Sequence, residues 1–206
     1  MNETRIVLGV TGASGAIYAV RTARALLLAG CEVDLVVSTF GQRLLRDETG
    51  LDLEEETLPE FLARTEGLTS ATGRVVRYEE NDLGAPISSG SYPALGMVVV
   101  PCSTKTLSGI AHGSSLNLIE RAADVTLKER RPLVVVPREA PLNLLHLRSM
   151  VALTEAGGIV IPAAPAFYQK PETFEDLGDF IAGRILTVLG IPQRLFTPWG
   201  MEPEEP

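Results

Sequence analysis

The run Leu133-Val-Val-Val-Pro-Arg-Glu-Ala-Pro141 ends a short apolar, β-branched stretch in an Arg138-Glu139 pair bracketed by two prolines. A cation beside a carboxyl group can hold an anion and move a proton at one place. Gly9-Val-Thr-Gly-Ala-Ser-Gly15 is a glycine-rich turn between an apolar run and a helical pattern. Backbone N–H groups and a helix dipole at such a turn favour a phosphate or the polar edge of a ligand; a tight turn is the alternative reading. Pro101-Cys-Ser-Thr-Lys-Thr106 offers three hydroxyls and a cation, a set suited to a nucleotide, although Ser103 could equally serve only as a helix cap. The glycine spacing is GxxGxxG rather than GxGxxG, and Ser38 stands where an acidic residue would hold an adenosine ribose. NAD is therefore disfavoured and a mononucleotide fits better. Arg121, Lys128 and Arg184 add cations and Tyr168 a phenol, each of which taken singly reads as a solvated surface residue.

Strands must deliver these groups. Arg5-Ile-Val-Leu-Gly-Val10, Glu32 to Ser38, Gly96 to Val100, Leu133 to Val136 and Gly158 to Ile161 read as buried strands. Helices are expected over Ala16 to Leu28, Phe40 to Glu48, Ile119 to Glu129, Pro141 to Ala156, and Thr173 to Leu189 with Thr173 as N-cap. Leu53 to Ala71 reads as a polar helix and loop region, and Ser88-Ser-Gly-Ser91 as a flexible loop. The alternation predicts an α/β fold, Rossmann-like or flavodoxin-like, with a parallel sheet between two helical layers. Ligands of such sheets sit outside the carboxyl ends of the strands, where the candidate residues fall.

The 206 residues, 45% of them hydrophobic, suit one domain over 1–190 and a tail over 191–206, with 202–206 expected to be disordered. A net charge of −8 disfavours nucleic acid or an anionic membrane surface as partner. Apolar runs of strand length and an N-terminus unlike a secretory signal lead to a cytoplasmic protein as the expectation. Cys31, Cys102, His112 and His146 form no metal-ligand spacing, so neither a disulfide nor a zinc site is expected.

Gly12-Ala-Ser-Gly15, Pro101-Cys-Ser-Thr-Lys-Thr-Leu-Ser-Gly109, Arg121-Ala-Ala-Asp124, Leu127-Lys-Glu-Arg-Arg-Pro-Leu133, Pro137-Arg-Glu-Ala-Pro141 and Pro165-Ala-Phe-Tyr168 together resemble the UbiX flavin prenyltransferases over nearly the whole chain. These lie within the flavin-binding group of homo-oligomeric cysteine decarboxylase folds. The resemblance implies transfer of a dimethylallyl group from dimethylallyl phosphate to reduced FMN, at nitrogen-5 and then carbon-6. The product, prenylated FMN, serves UbiD-type decarboxylases, including that of ubiquinone biosynthesis. It further implies that Gly12, Ala13, Ser14, Ser38, Ser103, Thr104, Lys105, Thr106, Arg121 and Arg138 contact FMN. Lys128, Arg138, Tyr168 and Arg184 would hold the dimethylallyl phosphate.

Ser14, Glu48, Glu139, Lys128 and Trp199 are the implied catalytic residues, Ser14 and Glu139 by moving protons, while Glu48 matches another acidic position of the family. Trp199 would cover an allylic cation with its π face, or serve only as a packing anchor. There is no Asp-Asp-x-x-Asp magnesium motif in the sequence, so the cations and the phenol would take the metal's part. Leu83 stands where some members carry tryptophan. A homododecamer whose subunits complete one another's sites is also implied. The competing readings are an FMN-dependent cysteine decarboxylase of the same fold and an FMN carrier. Against the first, no histidine precedes His112; against the second, a carrier needs only one phosphate pocket.

Overall fold

The computed structural model describes residues 4–68 and 73–200, so the expected tail at 202–206 and residues 69–72 lie outside it. The apolar runs become strands β1 (Arg5–Val10), β2 (Glu32–Val37), β3 (Val75–Tyr78), β4 (Gly96–Cys102), β5 (Leu133–Pro137) and β6 (Ile159–Val160). All neighbours pair parallel, in the order β3-β2-β1-β4-β5-β6. From β1 the chain moves outward to β2 and β3, then crosses to β4 on the other side of β1. This reversal makes β1 and β4 the topological switch point, where the loops part and leave a crevice.

Helices α1 (Ala16–Leu28), α2 (Thr39–Thr49), α3 (Leu58–Glu66), α4 (Thr104–Ala111), α5 (Leu118–Lys128), α6 (Leu144–Glu155) and α7 (Phe174–Val188) fill the connections. Period-two alternation sorts the strand residues between two cores. Ile6, Leu8, Val10, Val98, Val100, Val134 and Val136 pack with α1, α3 and α7. Val7, Met97, Val99, Leu133 and Val135 pack with α4, α5 and α6. The result is the expected three-layer α/β architecture. Among the described residues no helix is long and apolar enough to cross a membrane.

Several boundaries differ from the sequence expectation, each for a local reason. Ser38 is not the last residue of β2: it caps α2, its hydroxyl accepting from Gly41 N–H. The helix expected from Pro141 begins at Leu144, because Asn143 and His146 form a capping box there. The sequence expectation has no helix after Pro101-Cys-Ser-Thr-Lys-Thr106, but Ser103 does serve as the cap weighed for it: β4 runs on through Cys102 and α4 starts at Thr104. Strand β3 went unforeseen; its four residues are all half-buried at the sheet edge and lack a continuous apolar run. Strand β6 keeps only two of the four residues expected.

Candidate functional site

Two loops leave the carboxyl edge of the sheet side by side at the switch point, and one buried hydroxyl ties them together. Thr11 Oγ1 donates to the Pro101 carbonyl at 2.9 Å and accepts from Ser103 N–H at 2.7 Å. Ser103 in turn caps α4 and donates to the Thr106 hydroxyl at 3.1 Å. Thr106 is buried and supports Ser103 from within, whereas Ser103, Thr104 and Lys105 reach the crevice side. First-turn amides of a helix have no intrahelical acceptor, so those of Thr104 and Lys105 are free to meet a polar or anionic ligand.

The first helix terminus is arranged differently. Gly15 provides no side-chain cap, and both Gly15 N–H and Ala16 N–H donate to Glu48 Oε2 at 2.8 Å. The chain's own carboxylate thus holds the α1 amides where the sequence suggested a ligand phosphate. Desolvation opposes ionisation of Glu48, but the Ala16 amide, the Ser14 hydroxyl, the Gly15 amide and the charge of Arg138 outweigh it, holding the carboxyl below its ordinary range. Gly15 itself adopts φ +107°, a conformation that favours glycine, and its missing Cβ leaves room for the Tyr18 ring.

Arg138 leaves the end of β5 and donates from Nε to the Ser14 carbonyl at 2.8 Å. It therefore bridges the switch point from the far side of β4. Glu139 follows it, exposed, its carboxylate accepting from its own neighbour's amide, Ala140 N–H, at 3.0 Å. Gly12, Ala13, Ser14, Ser38, Ser103, Thr104, Lys105, Arg138, Glu139 and Glu48 all lie at this carboxyl edge.

Tyr168 stands on a short 3-10 turn, Phe167–Gln169, beyond the end of β6. Its ring meets Trp199 edge to face at 4.9 Å and Phe180 at 6.2 Å. Arg184 lies one turn beyond Phe180 on α7, hence on the same helical face. Gln169 donates to the Thr197 carbonyl at 2.7 Å, and Phe196 packs on Phe180 with ring centroids 5.0 Å apart, so residues 193–199 are laid along α7. Trp199 is 78% exposed.

Lys128 is not brought to this edge: α5 runs from the carboxyl edge to the amino edge of the sheet, with Arg121 in its first turn and Lys128, seven residues on along the same face, at its far end. Arg121 donates to the Ser88 carbonyl at 3.2 Å and to Asp124 at 2.9 Å. Lys128 ends the helix, paired with Glu129 at 2.5 Å, on the side where β5 begins.

Sequence reasoning missed two participants. Thr11 follows the first strand directly, and that position alone was a signal for it. Phe40 has none: it is 70% exposed beside Gly12, whose added Cβ would come 2.5 Å from Phe40 Cβ.

Open amides at α4, hydroxyls from two strand ends, a bridging guanidinium and a switch point with no ribose-binding acid define a mononucleotide-binding α/β protein. The profile of the Flavoprotein family matches residues 1–186, and the chain belongs to that family. It is 47% identical over 198 residues to the flavin prenyltransferase UbiX of Pseudomonas aeruginosa, covering 95% of this chain and 94% of that one. The corresponding protein of Halalkalibacterium halodurans is 45% identical over 195 residues, 95% and 93% of the two chains. Among solved structures, AnUbiX (PadA1) in complex with FMN and dimethylallyl pyrophosphate superposes with a TM-score of 0.85 at 39% identity, covering 98% of this chain and 100% of that one. A dodecameric FMN-dependent UbiX-like decarboxylase from Escherichia coli O157:H7 gives 0.79 at 38%, covering 91% and 95%. Within the family, this chain is a member of the UbiX flavin prenyltransferases.

Proposed function

We propose that the chain binds FMN in the crevice between β1 and β4 and transfers a dimethylallyl group from dimethylallyl phosphate to the reduced flavin. The allylic carbon–oxygen bond breaks, phosphate leaves with its electron pair, and nitrogen-5 bonds the allylic carbon and releases its proton; the bond to carbon-6 then forms at the expense of the prenyl double bond, which takes up one proton while carbon-6 gives up another. The observation that carries this reading is the convergence of Arg138, Ser14 and Glu48 beside the open amides of α4.

The residues fit the group. Thr104 and Lys105 amides and the Ser38 and Ser103 side chains suit the polar edges of a flavin mononucleotide, while the exposed Phe40 and the side chain of Ala13 supply apolar surface. Reduced FMN supplies the nucleophilic nitrogen and carbon. This chain's groups do the rest: Arg138, Tyr168 and Arg184 would bind the donor phosphate and stabilise the charge it gains on leaving. Ser14, with its hydroxyl already bonded to Glu48, would hold or pass a proton near the flavin nitrogen, and the exposed Glu139 would do so beside the phosphate. Trp199, edge-on to Tyr168, would cover the allyl group.

Lys128 ends α5 at the amino edge of its own chain, so we assign it, with Arg121 on the same helical face, to the site of a neighbouring copy in a homododecamer. Helix α6 supports assembly: Leu144, Leu147 and Val151, at helical spacing, are all exposed along it. The prenylated FMN would pass to a UbiD-type decarboxylase in the cytoplasm.

Anaerobic incubation with reduced FMN and dimethylallyl phosphate, followed by mass analysis of the extracted flavin, tests the proposal. The expected product carries one added five-carbon unit. Unmodified FMN recovered in the presence of donor would overturn it.

A further inference from the structure

Asp34 interrupts the buried run of strand β2 and is 2% exposed. Burial pushes its carboxyl above the ordinary range, countered in part by the Tyr92 hydroxyl, the Arg5 charge and the Tyr78 hydroxyl. A buried carboxylate is costly unless hydrogen bonds replace its water. Tyr92 supplies the main one, its hydroxyl lying 3.1 and 3.0 Å from the two Asp34 oxygens. The Arg5 guanidinium covers the Tyr92 ring at 5.6 Å. Tyr92 is thus fixed by both its hydroxyl and its ring at the amino edge of the sheet.

The backbone around Tyr92 is what α5 ends on. Arg131 donates to the Tyr92 carbonyl at 2.7 Å and to the Gly90 carbonyl at 2.8 Å. Gly90 lies directly beneath the Lys128 side chain: a Cβ there would overlap the Glu129 carboxylate and come within 2.6 Å of Lys128 Nζ. A continuous set of contacts therefore runs from Asp34 through Tyr92 and the Gly90 backbone to the ammonium group of Lys128.

We infer that Asp34 and Tyr92 are positioning residues that hold the Gly90–Tyr92 backbone as the platform for Lys128, and so set how the enzyme binds the phosphate of its allylic donor. The inference rests on Lys128 meeting that phosphate, as proposed above. Neither residue touches a reactant; each acts through the place it gives to Lys128.

The test uses the full assembled protein and compares Tyr92→Phe, Gly90→Ala, Lys128→Ala and the double variant Tyr92→Phe/Lys128→Ala. Tyr92→Phe should raise KM for dimethylallyl phosphate about fivefold, the worth of one net hydrogen bond, with kcat and FMN affinity within about twofold of wild type. Gly90→Ala, whose Cβ meets Lys128 directly, should also raise KM. If Tyr92→Phe does not fold, Asp34→Asn, which weakens the same Asp34–Tyr92 contact, carries the test in its place. In the Lys128→Ala background Tyr92→Phe should add nothing to KM, because the group it positions is gone. An unchanged KM in Tyr92→Phe, or in Asp34→Asn standing in for it, while Lys128→Ala raises it, overturns the positioning role and leaves Lys128 its phosphate. Additive effects in the double variant overturn it as well. An unchanged KM in Lys128→Ala instead removes the reading on which the inference stands.

Discussion

Glu48 occupies the position at the start of α1 where a helix of this kind would otherwise receive an anion. Two amides and a hydroxyl hold its carboxylate, and Arg138 adds a positive charge nearby. Its carboxyl titrates below the ordinary 4.5 when folded, so the stability it contributes is fully present above that pH. That contribution is lost as the pH falls through the lower folded value. Glu48→Gln keeps the shape and removes the charge. Near neutral pH the variant should melt on the order of 3 °C below wild type, as loss of a helix cap does in a chain of this size. Once the pH has fallen through that lowered folded value the two melting curves should converge, because the wild-type carboxyl is then neutral too. Melts that stay apart in acid would show that the charge is not what Glu48 contributes.

Between elements, the decisive joint is the hydroxyl of Thr11. It fixes the β4–α4 turn to the end of β1, and so sets the distance between the Ser14 loop and the open amides of α4. Thr11→Val has nearly the same shape but strands the Ser103 amide without an acceptor, a change costing about 1–3 kcal/mol. FMN affinity, read by quenching of flavin fluorescence, should weaken about tenfold, because the two halves of the crevice no longer keep their spacing. A lowered melting temperature with unchanged FMN affinity would make Thr11 a stabilising residue alone. Much of this joint was legible from sequence: β1, β2, β4 and β5 are apolar runs bounded by turn residues, and period and cap together marked α1 and α7. What stayed hidden was set by tertiary contact. Strand β3 is a four-residue, half-buried edge strand, and of α4 the sequence marked only the candidate cap at Ser103. The anion for α1 comes from Glu48, more than thirty residues along the chain, a pairing that no local pattern encodes.

At the scale of the whole molecule, six quoted motifs made the family legible, but sequence could not say which edge of the sheet each cation would occupy. Arg138 ends β5, whereas Lys128 precedes it, and a parallel strand of five residues separates the two edges they serve. If Lys128 completes a neighbour's site, two inactive variants should repair each other. Lys128→Ala and Arg138→Ala would each lose most activity alone, since each removes one cation from every site. Co-expressed and assembled together, mixed oligomers contain interfaces where a wild-type Arg138 faces a wild-type Lys128. With random mixing about a quarter of sites regain both groups, so activity should rise towards about a quarter of the wild-type value. Separately purified variants mixed without subunit exchange should show no recovery. If both residues serve the same chain's site, every site in the mixed oligomer lacks one of them and activity stays at the level of the single variants. The complementation assay therefore reads directly whether the amino edge of one subunit meets the carboxyl edge of the next.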